Sequence, residues 1–124
     1  MSEPINPSVS LSIDMKKYRI RIYKTTLHLL GDPSYIQLLV NPVNGDVAIQ
    51  SVDHVVSGDQ THKVSKKAMA SDNSIEIYSR SFITRLIDVA GELDRDCLYQ
   101  MSGRVIPSKR IAVFSLKAMT KKTS

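Results

Sequence analysis

Tryptophan is absent from this chain of 124 residues, and cysteine occurs only once, at Cys97. A single cysteine excludes an intramolecular disulfide, and a hydrophobic content of 42% favours one domain that is held together by its own core. No stretch approaches the roughly 20 apolar residues of a membrane span, and the first residues lack a secretory pattern. We therefore expect a cytoplasmic protein without membrane contact.

The sequence also has few of the motifs that carry catalysis. His28, His54 and His62 show no metal-ligand spacing with one another or with Cys97. The glycines are scattered, so no phosphate-binding loop is predicted, and no Gly-x-Ser-x-Gly nucleophile motif occurs. We expect Cys97 to be buried as a small hydrophobic residue. The sequence thus implies no enzyme, no cofactor and no small-molecule substrate.

Acidic residues are fewer than basic ones. Lys and Arg number 17 and Asp and Glu 12, which gives a formal charge of +5 and makes a polyanionic partner plausible. Only two Phe accompany the missing Trp, so base stacking on a single strand is disfavoured. If nucleic acid is the partner, contact with the phosphates of a duplex is the better expectation.

A strand, a short helix and a hairpin are predicted between residues 18 and 52. Ile20 and Ile22 alternate with charged residues, which is typical of a half-buried strand. The hydroxyls of Thr25 and Thr26 are expected to cap a helix of one or two turns that Gly31 ends. The remaining segments are predicted as a strand over 35–40, a turn over 41–45 and a strand over 46–52.

The same pattern returns in the second half of the chain. Ile75 and Ile77 repeat Ile20 and Ile22 at a constant offset of 55 residues (75 − 20 = 55). The later hairpin strand around Ile111 repeats the one around Val47 at an offset of 64 (111 − 47 = 64). This agreement favours an internal duplication. The alternative is coincidence, because Ile-x-Ile-Tyr is a common pattern in β-proteins.

The second unit is predicted to contain the longer helix. Ser79 or Ser81 is expected to cap it and Gly91 to end it. Phe82, Leu86 and Val89 form one apolar stripe, and Ile83 and Ile87 lie beside it, where they either widen the stripe or form an exposed patch.

The predicted fold is therefore α+β and β-rich: a small pseudo-twofold barrel built from two strand–short helix–hairpin units in one domain. Val9, Leu11 and Ile13 alternate near the start and leave an edge strand as the alternative to a flexible arm. The expected boundaries are a flexible arm over 1–14, a first repeat over 18–52, a linker over 53–74, a second repeat over 75–116 and a basic tail over 117–124.

These repeats, over Ile20 to Val52 and Ile75 to Leu116, resemble the AbrB-type swapped-hairpin family of bacterial transition-state regulators. The resemblance implies that two units interleave their hairpins into one DNA-binding barrel, here completed within one polypeptide. It also implies DNA contacts from basic residues of the first strand and the loop after it. The second repeat carries Glu76 where the first carries Arg21, so we do not expect a symmetric DNA footprint.

The candidate nucleic-acid contacts are the basic residues near the first strand and in the linker. On a strand, Lys17, Arg19 and Arg21 emerge on one face, spaced at about 6.6 Å for every two residues, which is close to the separation of phosphates. The alternative is a solvated face that discourages aggregation. The complete set is Lys17, Arg19, Arg21, Lys24, Lys63, Lys66 and Lys67.

Two functions remain from different classes. The first is a DNA-binding transcriptional regulator that contacts duplex phosphates through its basic first strand. The second is a non-catalytic protein-interaction or scaffold module, in which the longer second helix offers an apolar surface to a partner or to another copy through Phe82, Ile83, Leu86 and Ile87. An internally doubled unit needs no dimer to close the barrel, but it does not forbid a homo-oligomer.

Overall fold

The computed structural model describes residues 7–55, 61–71, 73–91 and 93–122. Parts of four predicted segments lie outside the described residues: 1–6 of the arm, 56–60 and 72 of the linker, 92 of the second repeat, and 123–124 of the tail.

The described residues form a nearly closed antiparallel barrel of eight strands. This architecture confirms the predicted β-rich fold. The strands follow one another in the sheet in the order β5-β3-β4-β8-β7-β1-β2-β6. The elements are β1 (Ser8–Asp14), β2 (Arg19–Tyr23), α1 (Lys24–Leu29), β3 (Tyr35–Val40), β4 (Val47–Val52), β5 (Thr61–Lys63), α2 (Lys66–Ser71), β6 (Ser74–Tyr78), α3 (Arg80–Ala90), β7 (Leu98–Ile106), a 3₁₀ turn (Pro107–Lys109) and β8 (Ile111–Lys122).

Strand pairing gives the barrel its pseudo-twofold symmetry. In the β2–β6 pair, Arg19 opposes Tyr78 and Tyr23 opposes Ser74. Adding the repeat offset of 55 to Arg19 and Tyr23 gives Ser74 and Tyr78, so exchange of the two halves reproduces the same pairs. The β4–β8 pair behaves in the same way at the offset of 64. The offsets found in the sequence are therefore the symmetry relations of the fold.

The hairpins of the two halves are interleaved. β3 of the first half pairs with β5, which precedes the second repeat, and β7 of the second half pairs with β1. β4 and β8 then join the two hairpins directly. Neither half is complete alone, because each hairpin finds its outer neighbour in the other half.

The repeated isoleucines form the centre of the core. Ile20 and Ile22 are fully buried, and Ile75 and Ile77 are 5% and 7% exposed. Their burial confirms the predicted phase of both strands, since alternate residues of a strand point to the same face. Phe114 of β8 is also fully buried.

The two repeated helices begin differently. α1 starts after Tyr23 without a side-chain cap, so the capping role predicted for Thr25 and Thr26 is wrong; Thr26 is buried instead. In α3, the Ser79 hydroxyl accepts a hydrogen bond from the Phe82 amide at 3.2 Å, as predicted. Gly91 follows this helix with a φ of 86°, a conformation that costs glycine little.

Helix α3 lies on the barrel with its apolar side inward. Phe82, Ile83 and Leu86 are buried, and Ile87 packs partly buried against the core. Ile83 and Ile87 therefore widen the core stripe, and the exposed patch that the interaction hypothesis required is not formed by them. None of the helices in the described ranges has the length and apolar character that a bilayer crossing needs.

The segment expected as a flexible arm contributes a central strand over its described part. β1 lies between β2 and β7 and pairs with both. Val9 is 8% exposed, and Leu11 and Ile13 are fully buried. Their alternation outweighs the nearby prolines, and Pro7 itself accepts a hydrogen bond from the Val105 amide at 2.9 Å.

The predicted linker and tail also contain regular structure. The linker includes β5, which pairs with Tyr35, Ile36 and Gln37 of β3, and the helix α2. β8 continues to Lys122, where it pairs with Leu98 of β7. Both segments have polar sequences because they lie at the surface, so polarity alone was a poor guide to their structure.

Candidate nucleic-acid interface

The first-strand arginines face carboxylates. Arg19 lies 2.9 Å from Glu76, measured from Nη1 to Oε2, and 3.3 Å from Asp14, measured from Nη2 to Oδ2. The Nη2 of Arg21 lies 3.6 Å from the same Glu76 oxygen. We call Asp14, Arg19, Arg21 and Glu76 the paired cluster. This face is therefore not purely cationic, because β1 and β6 bring an acid to each side of β2.

Hydrogen bonds order this cluster further. A hydrogen bond with Tyr78 raises the pKa of the Arg19 guanidinium, as do Glu76 and Asp14, while burial acts in the opposite direction. Asp14 also accepts hydrogen bonds from the backbone amides of Lys16 and Lys17 at 3.1 and 3.2 Å. Lys17 therefore lies in the turn before β2 and does not continue the row of Arg19 and Arg21.

The position of Arg21 and Glu76 follows from the symmetry. The two residues are equivalent at the offset of 55, and they oppose each other at the centre of the β2–β6 pair. An identical residue in both repeats would face its own copy, and like charges directly opposite each other are destabilising. With Arg in one repeat and Glu in the other, the electrostatic interaction between the two opposed residues is favourable.

The remaining predicted lysines surround a different part of the barrel. Lys24 is the first residue of α1, Lys63 ends β5, and Lys66 and Lys67 begin α2. Lys63, Lys66 and Lys67 are exposed, and Lys24 is half-buried. We call these four residues the lysine surface. The structure thus places two of the seven predicted contact residues in the paired cluster and four in the lysine surface, and Lys17 lies in the turn before β2.

Two adjoining cavities lie within the lysine surface. One has a volume of about 340 Å³ and is lined by Lys24 and Lys66 together with apolar residues. The other, of about 670 Å³, is lined by Lys63, Lys66 and Tyr35. Val64 and Lys66 belong to both, so the two cavities are neighbours, and we call them together the lysine depression.

The carboxylates along this depression already have cationic or imidazole partners. Asp32 lines the smaller cavity and forms a 2.5 Å hydrogen bond with Nδ1 of His28. Asp53 lines the larger one and lies 3.8 Å from Nη1 of Arg110. Within the described ranges, no carboxylate forms an ion pair with Lys24, Lys63 or Lys66.

His62 of β5 is the titratable group beside this region whose pKa shifts. Partial burial lowers the pKa of its imidazole, because removal from water disfavours the charged form. His62 therefore contributes less positive charge near neutral pH than an exposed histidine.

A second polar network lies at the start of β7. Asp94 accepts hydrogen bonds from the Asp96 amide and the Lys121 ammonium, and these lower the pKa of its carboxyl to about 2. Hydrogen bonding to Asp94 is the main reason that the pKa of Cys97 is raised, so its thiol is held protonated. In the part of the chain that the structure describes, no group of three or more His, Cys, Asp or Glu side chains could hold a metal ion.

Comparison with protein-family models, with curated proteins and with solved structures finds no match to this chain.

Sequence reasoning found the cations and missed their surroundings. The apolar residues that line the cavity with Lys24 and Lys66 come from two separate stretches of the chain, 27–33 and 64–70, so no local pattern connects them. Glu76 carried a usable signal, because its offset of 55 from Arg21 places the two side by side in any twofold pairing of these strands.

Proposed function

We propose that the protein is a DNA-binding transcriptional regulator that contacts duplex phosphates through the lysine surface. The observation that carries the proposal is that Lys24, Lys63 and Lys66 line the two neighbouring cavities of the lysine depression and have no carboxylate partner among the described residues. The resemblance of the two repeats to the AbrB-type family supports the same function. The contact region differs from the first-strand region that this resemblance implies.

The physical basis is electrostatic. Lysine ammonium groups bind phosphates as point charges, and each neutralised phosphate releases counterions from the duplex. The formal charge of +5 attracts the protein to DNA at long range. The lysine surface concentrates positive charge on one side, so this side should face the duplex. Contacts of this kind position a protein on DNA without reading base sequence.

The paired cluster is the weaker candidate. Glu76 serves both Arg19 and Arg21, and Asp14 contributes a second carboxylate to Arg19. A phosphate approaching these guanidinium groups would meet two fixed negative charges at close range. It would also have to displace ion pairs that are already formed, so this face offers less free energy for DNA binding.

Titration with duplex DNA over a range of salt concentrations tests the proposal. If the four lysines each contact a phosphate, the logarithm of affinity should fall against the logarithm of salt with a slope of about −3.6. The double variant Lys63→Gln/Lys66→Gln should reduce the magnitude of that slope by about 2. Lys109→Gln/Lys117→Gln removes the same charge from two exposed lysines elsewhere and should leave the slope nearly unchanged.

Arg19→Gln/Arg21→Gln separates the two regions. This variant should alter DNA affinity less than Lys63→Gln/Lys66→Gln does, because the arginines that it removes already form ion pairs with carboxylates. If it alone abolishes binding, the contact surface is the first strand and the proposal is wrong about the site. Absence of binding at low salt would reject the function itself and leave the interaction or scaffold module.

A further inference from the structure

The smaller cavity, which we call the seam groove, combines an apolar floor with a cationic rim. Its volume is about 340 Å³, within the range of small-ligand sites. Its lining residues are Lys24, Leu27, His28, Asp32, Pro33, Val64, Lys66 and Ala70.

The groove exists because the two halves close the barrel differently. In the first half, β1 pairs with β2 in a register that runs from Leu11–Ile22 to Asp14–Arg19. In the second half, β5 and β6 are the two ends of the sheet and form no strand pair within the described residues. The segment from β5 to β6 contains α2, and the groove lies between α1 and this helix.

The floor of the groove is apolar and belongs to the core. Leu27 is fully buried, Val64 is 5% exposed, and Pro33 is buried. These side chains are fixed by the packing around them, so the cavity is preformed. An aliphatic ligand group placed on them would be removed from water at little conformational cost.

The rim determines the charge of the ligand. Lys24 and Lys66 line the groove and have no ion-pair partner among the described residues. Asp32, the acid of the rim, is hydrogen bonded to His28. A cationic ligand would face two lysines, whereas a carboxylate would gain charge-assisted hydrogen bonds from them.

We propose that the seam groove binds a small organic carboxylate with an aliphatic body, with the carboxylate between Lys24 and Lys66 and the chain against Leu27, Pro33 and Val64. This site goes beyond the nucleic-acid proposal and does not depend on it. Small organic carboxylates are a class of ligand that the sequence alone does not indicate.

Isothermal titration calorimetry with decanoate tests the site on the full chain. Decanoate should bind in the calorimeter. In NMR spectra of the same protein, decanoate should also shift the methyl resonances of Leu27 and Val64. Decanol, which keeps the chain and lacks the charge, and acetate, which keeps the charge and lacks the chain, should each bind at least about tenfold more weakly. Equal binding of decylamine and decanoate would overturn the proposal, because the rim would then not select an anion.

Matched variants identify the residues. Lys24→Gln/Lys66→Gln should weaken decanoate at least about tenfold, whereas Lys16→Gln/Lys17→Gln, with the same charge change in the turn before β2, should not. If both pairs have the same effect, the lysines of the rim are not the ligands. Thermal unfolding of each variant shows whether the fold is retained.

A variant that blocks the cavity separates this site from DNA binding. Ala70 is exposed and lines the groove, so Ala70→Leu should fill it and abolish decanoate binding without changing any charge. The same variant should keep the salt slope for DNA, because all four lysines remain. Unchanged decanoate affinity in folded Ala70→Leu would reject the seam groove, whatever the DNA titration shows.

Discussion

The two halves of the barrel share one plan and differ most at their seams. The first seam is closed by backbone pairing between β1 and β2, and its outer face carries the paired cluster. The second seam has no such pairing between β5 and β6 in the described part of the chain, and α2 lies beside it with the lysine surface. The pseudo-twofold barrel thus has one side with balanced charge and one side with exposed positive charge.

This difference shows how a symmetric fold acquires a one-sided surface. The core positions of both halves remain apolar, as Ile22 and Ile77 illustrate, because both must fill the same barrel. The residues outside the core are under no such constraint. The surface proposed for DNA binding lies at one of the places where the halves differ, the seam beside α2.

The largest expected effect comes from shortening a core residue at the closed seam. Leu11 is fully buried between β2 and β7, and Leu11→Ala should reduce the free energy of unfolding by about 2–5 kcal/mol. Thr61 occupies the equivalent place beside β3 and is only half-buried, so Thr61→Ala should reduce it by less than about 1 kcal/mol. Urea denaturation measures both. Equal losses would show that the two seams contribute alike to stability.

The next effect concerns the two hairpins. A Cβ atom at Gly103 of β7 would clash with the Val113 carbonyl oxygen and would lie 2.7 Å from Phe114 Cδ2. Gly103→Ala should therefore reduce the free energy of unfolding by about 1–3 kcal/mol. Leu39, its counterpart at the offset of 64, is 39% exposed, so Leu39→Ala should cost less than about 1 kcal/mol in the same assay. A tolerated Gly103→Ala would mean that β7 and β8 can separate locally.

A smaller effect is expected from removing the shared carboxylate. Glu76→Gln should lower the free energy of unfolding by at most about 1 kcal/mol, since the ion pairs are partly exposed. It should also strengthen DNA binding at low salt, because Arg19 and Arg21 would lose a competing charge. Glu76→Gln and wild type should converge in stability as salt is raised. A DNA affinity lower than that of the wild type would contradict this account of the paired cluster.

The smallest expected effect is a pH dependence that arises from His62 of β5, where the equivalent position of β1 is Ser12. Burial lowers the pKa of His62 in the folded protein relative to about 6.5 in the unfolded chain. Between these two pKa values the unfolded state binds more protons than the folded state. The free energy of unfolding is therefore unaffected by His62 above about pH 6.5 and falls as the pH decreases toward the folded-state pKa. His62→Ser introduces the residue found at the equivalent position, Ser12, and should flatten this part of the profile. Unfolding temperatures at pH 5.5 and 7.5 give the comparison, and identical profiles for variant and wild type would refute it.

The sequence predicted the barrel and its repeats because periodicity reports directly on burial. The isoleucines, the helix-ending glycines and both hairpins were found in this way. β1 was harder to place, since prolines and serines near Val9 and Leu11 resemble a terminal arm until both neighbouring strands are known. The carboxylate partners of Arg19 and Arg21 depend on strand register between distant segments, which the spacing along the chain does not reveal on its own.

The opposition of Arg21 and Glu76 has a consequence for the two repeats as separate chains. Two first repeats assembled as a homodimer would bring Arg21 against its own copy, and two second repeats would do the same with Glu76. Only a mixed assembly unites opposite charges at that point. Split fragments of this protein should accordingly prefer each other to themselves, so this one position encodes partner choice between halves that otherwise share a plan.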